Sequence, residues 1–509
     1  MIPKELSDSK SDTLKRMLEM ALESGNKRRS KQTGYIHHHY DINEQEPYVS
    51  IPIVENFLYV LALFRSRIAE NIIEAKTLLD GLLHFQNTQS GSLGYGNFPL
   101  YIHEFPVCKD RFLGVQVGMA IFWILKHFHQ ILGSDLKKRL ESSLNILIAH
   151  ILKAYSEKPS SYSTAVAIAA LSKEGGMLIK NVEYIRQGEE LLEALCKHPD
   201  LLAWHCPASL GTILAALTMA YSKPSQSPWK DFWKHIESTW HQSTGCFIGP
   251  AIKVWQKSSE PKTTLYDLFL GYLSGVLPAR VQLDSIMHLQ AVLIPSFEDC
   301  LAPVDYPLQL EGNIGQARWL LYQDENIAYS FIERDTLPLN PADEKGFHPL
   351  FVVWGNLERA HTLVCQGGNI GSINMMAMDK TLDLAVNLGP MPEEEDREKS
   401  HELEFFLDAH EGLEFLVSEH KSSTFLLGET LSLQSGICKM LLNFTLEVGE
   451  GRFLGHRMLG NRPSQMNAKG NRRFNAYDWQ IFLRTVRRSE ACKIRISLKI
   501  LTDPHPMNA

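Results

Sequence analysis

The stretch YSTAVAIAAL, residues 162–171, has almost no polar side. Wound as a helix, it offers small and branched apolar side chains in nearly every direction, so other elements must surround it. Ala208–Tyr221 has the same texture. Val182–Lys197, between them, is amphipathic, with one face for a core and one for water. Working outward, Ile53–Phe64 and Ile68–Gln86 form one helical pair, and Phe112–Leu132 and Leu136–Tyr155 form another. The second pair is joined by GSD, a glycine stop followed by a Ser/Asp start. An aromatic helix over Trp229–His241 and a last one over Thr263–Gly275 end the series. Buried helices alternating with amphipathic ones, arranged as hairpins, predict a ring with the buried helices inside. That is an incomplete α/α toroid over residues 51–282. Residues 1–50 precede it as an amphipathic helix near Thr13–Glu23 and an extended segment.

After about Leu283 the pattern shortens. Runs such as RWLLYQ, HPLFVVWG, TLDLAVNL, ELEFFLDA and CKIRISLKI alternate apolar and polar residues between turn signals. They predict a large antiparallel β-sandwich over residues 283–509. The acidic run Glu393–Glu398 reads as a solvated loop between strands, and the many arginines from Arg452 to Arg488 as a solvated face.

Composition narrows the function. With 509 residues, 44 % hydrophobic and 21 % charged, the chain can build large cores without staples. Lys+Arg 51 against Asp+Glu 58 leaves a net charge of −7, which gives no nucleic-acid character. The eight cysteines are spread singly, so neither a zinc ribbon nor a disulfide framework is expected, and a reducing compartment is. MIPKELSDSKSDTLKRM has no apolar core of a signal peptide, which predicts a cytoplasmic protein unless a signal-less route exports it. No run of about 18 apolar residues predicts a membrane span. GxxxxGK[ST], GxGxxG after a strand, HExxH and GxSxG are all absent, so no cofactor and no metal are expected. The histidine run His37–His39 lacks a carboxylate at ligand spacing and reads as cleft lining or surface loop. The sequence fixes no oligomeric state.

The chemistry is expected in the loop GSLGYGNFPLYIHEFPVCKDR, residues 91–111. Three glycines and two prolines give it one shape, and it carries Asn97, Tyr101, His103 and Glu104. Asn97 can donate to a sugar carboxylate. Tyr101 and His103 can move protons, and Glu104 can serve in a carboxylate pair. The plain alternative is a shaped loop capping a helix pair. Further along, Trp204 and His205 at a helix entrance suit a sugar-stacking platform with a polar neighbour, or else a core tryptophan with a capping histidine. Trp255 sits in a connector and is a cleft candidate. Tyr266 and Asp267 open the last helix of the series. Asp267 is either a helix-start residue or the partner carboxylate of Glu104. His348, at the start of a β-domain strand, is a candidate contributor from the second half or a strand-end residue.

The architecture, with GNFPLYIHEFP before the FLGVQVGMAIFWIL helix, SYSTAVAIAAL, and GCFIGP before TLYDLFLGYLSG, resembles the heparinase II/III-like and related polysaccharide lyases over about residues 50–500. That resemblance implies a toroid followed by a β-sandwich, a carbohydrate substrate, and Asn, His and Tyr of the toroid acting with a His of the β-domain. Asn97, Tyr101, His103, His205, Tyr266 and His348 are the residues that could stand there. The implied reaction is β-elimination on an acidic polysaccharide. The rivals are hydrolysis by Glu104 and Asp267, and a binding module that kept the fold without the chemistry.

Overall fold

In the toroid half, the helices that bury every side pack against one another, as their composition requires. A computed structural model describes residues 4–41, 47–250, 263–333, 349–365, 369–378, 380–390, 401–410, 412–463 and 477–502. The helices are α1 (Lys4–Arg28), α2 (Ile53–Ser66), α3 (Ala69–Leu83), α4 (Leu113–Phe128), α5 (Ser134–Glu157), α6 (Tyr162–Ile179), α7 (Val182–Lys197), α8 (Leu201–Trp204), α9 (Pro207–Ala220), α10 (Lys230–Ser238) and α11 (Leu265–Ser274). Two short hairpins accompany them, β1 (His38–Asp41) with β2 (Pro47–Ser50), and β3 (Trp240–His241) with β4 (Cys246–Phe247).

α2 packs on α4, α4 on α6, α6 on α9 and α9 on α11. α1 touches both α11 and α2 and closes the circuit, together with a 3-10 helix over Ile286–Leu293 that touches α1, α2, α4 and α11. The second layer is α3 on α2, α5 on α4 and α6, and α7 on α6. Burial follows the layers. α4 buries almost every residue from Leu113 to Leu125, while α5 buries one stripe that includes Leu140, Leu144, Leu147 and Ile151. α7 buries only Gly188 and Leu192. This is the incomplete α/α toroid that the alternation predicts. No helix among the described residues is long and apolar enough to cross a membrane.

The later strands form two antiparallel sheets. The nine-stranded sheet runs β14 (Thr424–Phe425), β17 (Gly451–Pro463), β18 (Tyr477–Arg488), β12 (His401–Leu407), β9 (Ala360–Cys365), β8 (Leu350–Gly355), β7 (Ile327–Ile332), β6 (Ala317–Gln323), β5 (Leu308–Ile314). The six-stranded sheet runs β10 (Ile370–Met378), β11 (Thr381–Leu388), β19 (Lys493–Thr502), β16 (Cys438–Val448), β15 (Thr430–Ser435), β13 (Glu414–Val417). Their inner faces share one core, with Val352, Leu363 and Ile481 from one sheet and Leu384, Leu442 and Ile496 from the other. Successive strand residues point to opposite faces, so Phe351 and Val353 turn outward. There they pack with Leu321, Ala328, Val364, Cys246 and Ile248. The chain divides into two compact units. One is Met1–His235, Thr263–Leu277 and Asp284–Leu301; the other is Ile236–Lys262, Pro278–Leu283 and Ala302–Ala509.

One arginine of the expected solvated face is buried. Arg488 and Glu402 both have fully buried side chains, with Nε donating to Oε1 at 2.8 Å. Thr485 Oγ1 donates to the same oxygen at 2.6 Å and Asn369 Nδ2 to Oε2 at 3.1 Å. Arg488 Nη2 reaches Gly389 O, just past β11 of the other sheet, at 2.8 Å. Both charges of the pair are met by a partner, which is the condition for tolerating an ion pair in a dry core.

Two substitutions test this packing. A β-carbon on Gly211 of α9 would lie 2.6 Å from Tyr266 N and 3.0 Å from Leu265 C of α11. Gly211→Ala is therefore expected to lower unfolding stability by about 1–3 kcal/mol, opposite in sign to the helix-propensity gain of alanine. Arg488→Met leaves Glu402 charged and buried, and should cost roughly 3–5 kcal/mol in a denaturant titration.

Candidate functional site

The loop of residues 91–111 is held by its own amides. Asn87 N donates to Asn97 O at 2.8 Å and Gly96 N to Asn87 O at 2.7 Å. Gln86 Nε2 donates to Gly96 O at 2.8 Å and to Ser143 O at 3.0 Å. Gly96 has φ +90°, and a β-carbon there would sit 2.5 Å from Ile146 O, so only glycine fits. The next part of the loop lies along the entrance to α2, where Ile53 N donates to Leu100 O at 3.1 Å and Ile102 N to Ile51 O at 3.0 Å.

That bracing presents Tyr101 and His103. Tyr101 precedes a 3-10 turn over Ile102–Glu104. Its ring lies parallel to that of His103, with centroids 5.6 Å apart and planes within 3°. His103 is exposed and Tyr101 half-buried. Glu104 Oε1 accepts from Lys109 Nζ at 2.8 Å, while its Oε2 is buried without a hydrogen-bond partner. Asn97 has a different role from the expected clamp. It is fully buried, its Nδ2 donates to Asp110 O at 2.8 Å, and its Oδ1 has no partner. The amide donor is committed to closing the loop.

The second group stands at the starts of α9 and α11. Asp200 caps α8, accepting from Leu202 N at 2.9 Å, and so sets Trp204 and His205 just ahead of α9. His205 is 2 % exposed. Its ring meets that of His235 edge-on, with centroids 4.9 Å apart. His235 Nε2 donates to Trp204 O at 2.6 Å, and the Trp204 ring packs edge-on against Phe232. Burial drives the His205 pKa well below its ordinary value, with the His235 charge adding to the effect. Burial likewise pushes His235 down to about 4. In both imidazoles burial favours the neutral form. The sequence reading missed His235, whose signal is its place on the one-sided aromatic helix with Phe232 and Trp233. Tyr266 is fully buried, and its backbone lies against Gly211. Asp267 completes a capping box: its Oδ2 accepts from Thr264 N at 2.9 Å, and its own N donates to Thr264 Oγ1 at 3.2 Å.

The structure thus brings Tyr101, His103 and Glu104 onto one turn, and His205 beside Trp204 and His235. Tyr266 and Asp267 form a third place, at the start of α11. Trp255, His348 and the run Glu393–Glu398 lie outside the described residues.

The sandwich holds a cluster that the sequence reading did not single out. His361 Nδ1 bonds Asp408 Oδ2 at 2.8 Å, and Thr362 N donates to Asp408 Oδ1 at 2.8 Å. His410 lies on His361 with centroids 3.9 Å apart, and its Nε2 bonds Ser435 Oγ at 2.8 Å. Burial first, then the charge of His361, lowers the His410 pKa against the pull of Asp408. One ligand atom from each of His361, Asp408 and His410 falls within 4.8 Å of the others, so the set could hold a divalent ion. The legible signal was Asp408-Ala-His410, two residues apart and so on one side of an extended chain.

A chondroitin AC lyase of Streptomyces coelicolor A3, solved with chondroitin sulphate, aligns at TM-score 0.51 and 10 % identity over 99 % of this chain and 80 % of that one. The chain has the polysaccharide-lyase fold. A Paenibacillus xanthan lyase aligns at TM-score 0.50 and 8 % identity over 98 % of this chain and 57 % of that one. Heparinase III aligns at TM-score 0.42 and 8 % identity, over 96 % and 85 %. No protein-family model and no curated protein matches the chain.

The buried imidazoles set an acid limit on the helical unit. In the folded chain His235 stays neutral down to about pH 4, whereas unfolded it binds a proton near its ordinary 6.5. Below that value the unfolded state holds more protons, so stability falls with pH. The contribution of His235 is roughly 3 kcal/mol over the interval. His235→Gln should flatten the decline in denaturant midpoint between pH 6.5 and 4. An unchanged slope would exclude His235 as its source.

Proposed function

We propose that the protein acts on an acidic polysaccharide by β-elimination, with Tyr101 and His103 as the proton-transfer pair. The observation that carries this reading is the accessible, parallel Tyr101–His103 pair, in a chain whose fold over 99 % of its length is that of a chondroitin AC lyase. Elimination breaks the C–H bond beside the sugar carboxylate, forms a C=C bond and expels the glycosidic oxygen. An imidazole can take that proton, and a phenol can protonate the departing oxygen. His103 takes the first role and Tyr101 the second. Asn97 has its donor committed inside the loop, so neutralising the sugar carboxylate falls to Lys109. Its pairing with Glu104 is a surface ion pair, worth only about 0–1 kcal/mol, which a uronate can displace.

A second reading is a non-catalytic binder of acidic polysaccharide. It is favoured by the burial of Asn97, His205 and Tyr266, which sets three of the expected site residues away from a polymer. Hydrolysis has less support, since Asp267 Oδ2 serves the capping box and Glu104 Oε1 the Lys109 pair.

The test is incubation with a panel of uronic-acid polymers, chondroitin sulphate included, reading ultraviolet absorbance from unsaturated products. Tyr101→Phe and His103→Ala should each lower the rate by about 100-fold or more without changing circular dichroism. Reducing ends without absorbance would replace elimination by hydrolysis. Retention on an immobilised polymer with neither product would leave the binding reading.

A further inference from the structure

At the other end of α2, Arg65 is a cation without a counter-charge among the described residues. Its Nη1 donates to Ile294 O at 2.8 Å, while its Nε is sealed from solvent and has no acceptor. Burial alone lowers its pKa, to about 10, and no acid side chain acts on it. Beside it lies a cavity of about 610 Å³ between α1, the ends of α2 and α4, and residues 291–296. Lys15, Arg67 and His127 line it with Arg65, and Ser11 and Ser296 add hydroxyls. The rest of the lining is apolar, and no Asp or Glu among the described residues contributes.

The arrangement concentrates positive charge. Burial, then Arg65, Lys126 and Arg67, pushes the His127 imidazole down to about 4. The imidazole stacks on Trp123 with centroids 5.2 Å apart, and the Arg65 guanidinium lies 6.0 Å from the same ring centroid. One indole thus orients both groups. Cations also suit helix C-termini, where the backbone carbonyls point outward. That accounts for Arg67 and His127 at the ends of α2 and α4. It does not account for four basic side chains lining one cavity with no acid among the described lining residues, since a desolvated charge is tolerated when paired. Nor does it explain why Arg67 occupies the C-cap with φ +56°, a conformation in which glycine is the easier residue.

We propose that this cavity binds an oxyanion group, a sulfate, phosphate or carboxylate, carried on a ligand with an apolar flank. Arg65, half-buried in the cavity wall, is the anchor, and Arg67, Lys15 and His127 close around the anion. The volume fits a small-molecule site. The polymer-cleaving pair Tyr101–His103 has no part in it, so either proposal can fail alone.

The experiment titrates the full chain with inorganic sulfate, inorganic phosphate or glucuronate, against chloride at equal ionic strength. Thermal midpoint and the histidine resonances are followed. At least one oxyanion should raise the midpoint saturably and move the titration of His127 upward from about 4 toward its ordinary value. The preferred anion separates a tetrahedral group from a sugar carboxylate. Arg67→Gly relieves the backbone, so it should fold at least as well. It should also bind about tenfold more weakly, the loss of one charge-assisted hydrogen bond. No saturable response to any of the three anions overturns the proposal, and so does undiminished affinity in Arg67→Gly.

Discussion

A helix apolar on every side must be surrounded, and this chain contains a set of them. α2, α4, α6, α9 and α11 meet the demand by standing against one another, with α3, α5 and α7 as the wetter second layer. The ring then fixes where polar groups can go. Side chains along the inner helices are enclosed by neighbouring helices, so accessible chemistry is confined to the connections at their ends. The loop of residues 91–111 lies at the starts of α2 and α4, and the Arg65 cavity at their finishes. Close approach is part of the same constraint, since α9 and α11 meet where Gly211 presents no side chain.

Much of this was legible in the residues. Period-3.6 patterns separated buried from amphipathic helices, and period-two runs marked the sandwich. The misses have physical causes. β5 was overlooked because LQLEGNI is an edge strand with a weak burial contrast. α1 runs from Lys4 to Arg28, well past the segment whose apolar spacing announced it. It is held by distant partners, such as Thr13 Oγ1 donating to Gly275 O at 2.8 Å. Arg488 was read as solvated because its partner Glu402 is 86 residues away, a separation that no local pattern records.

The candidate site was legible in its residue types more than in its geometry. Loop shape and chemistry identified Tyr101 and His103, which stack in the structure. The same reasoning could not tell that the Asn97 amide would turn inward to Asp110, or that His205 would face another histidine in a dry setting. Burial decides between a working side chain and a structural one, and burial is a property of the assembled chain. The His361–Asp408–His410 cluster makes the same point from the other side. Two short stretches of unremarkable sequence become a chemical group only when β9 and β12 pair side by side.

The order of the two units along the chain has a consequence for modularity. Residues 239–250 follow α10 in the chain, yet Cys246 and Ile248 complete the packing over Leu321, Phe351 and Val353 of a sheet made later. A cut at residue 301 would leave the second half with a bare greasy flank and the first half with an orphaned hairpin. The units are therefore not cassettes that recombination could exchange at one crossover, and strands β6 to β9 depend on a segment translated well before them.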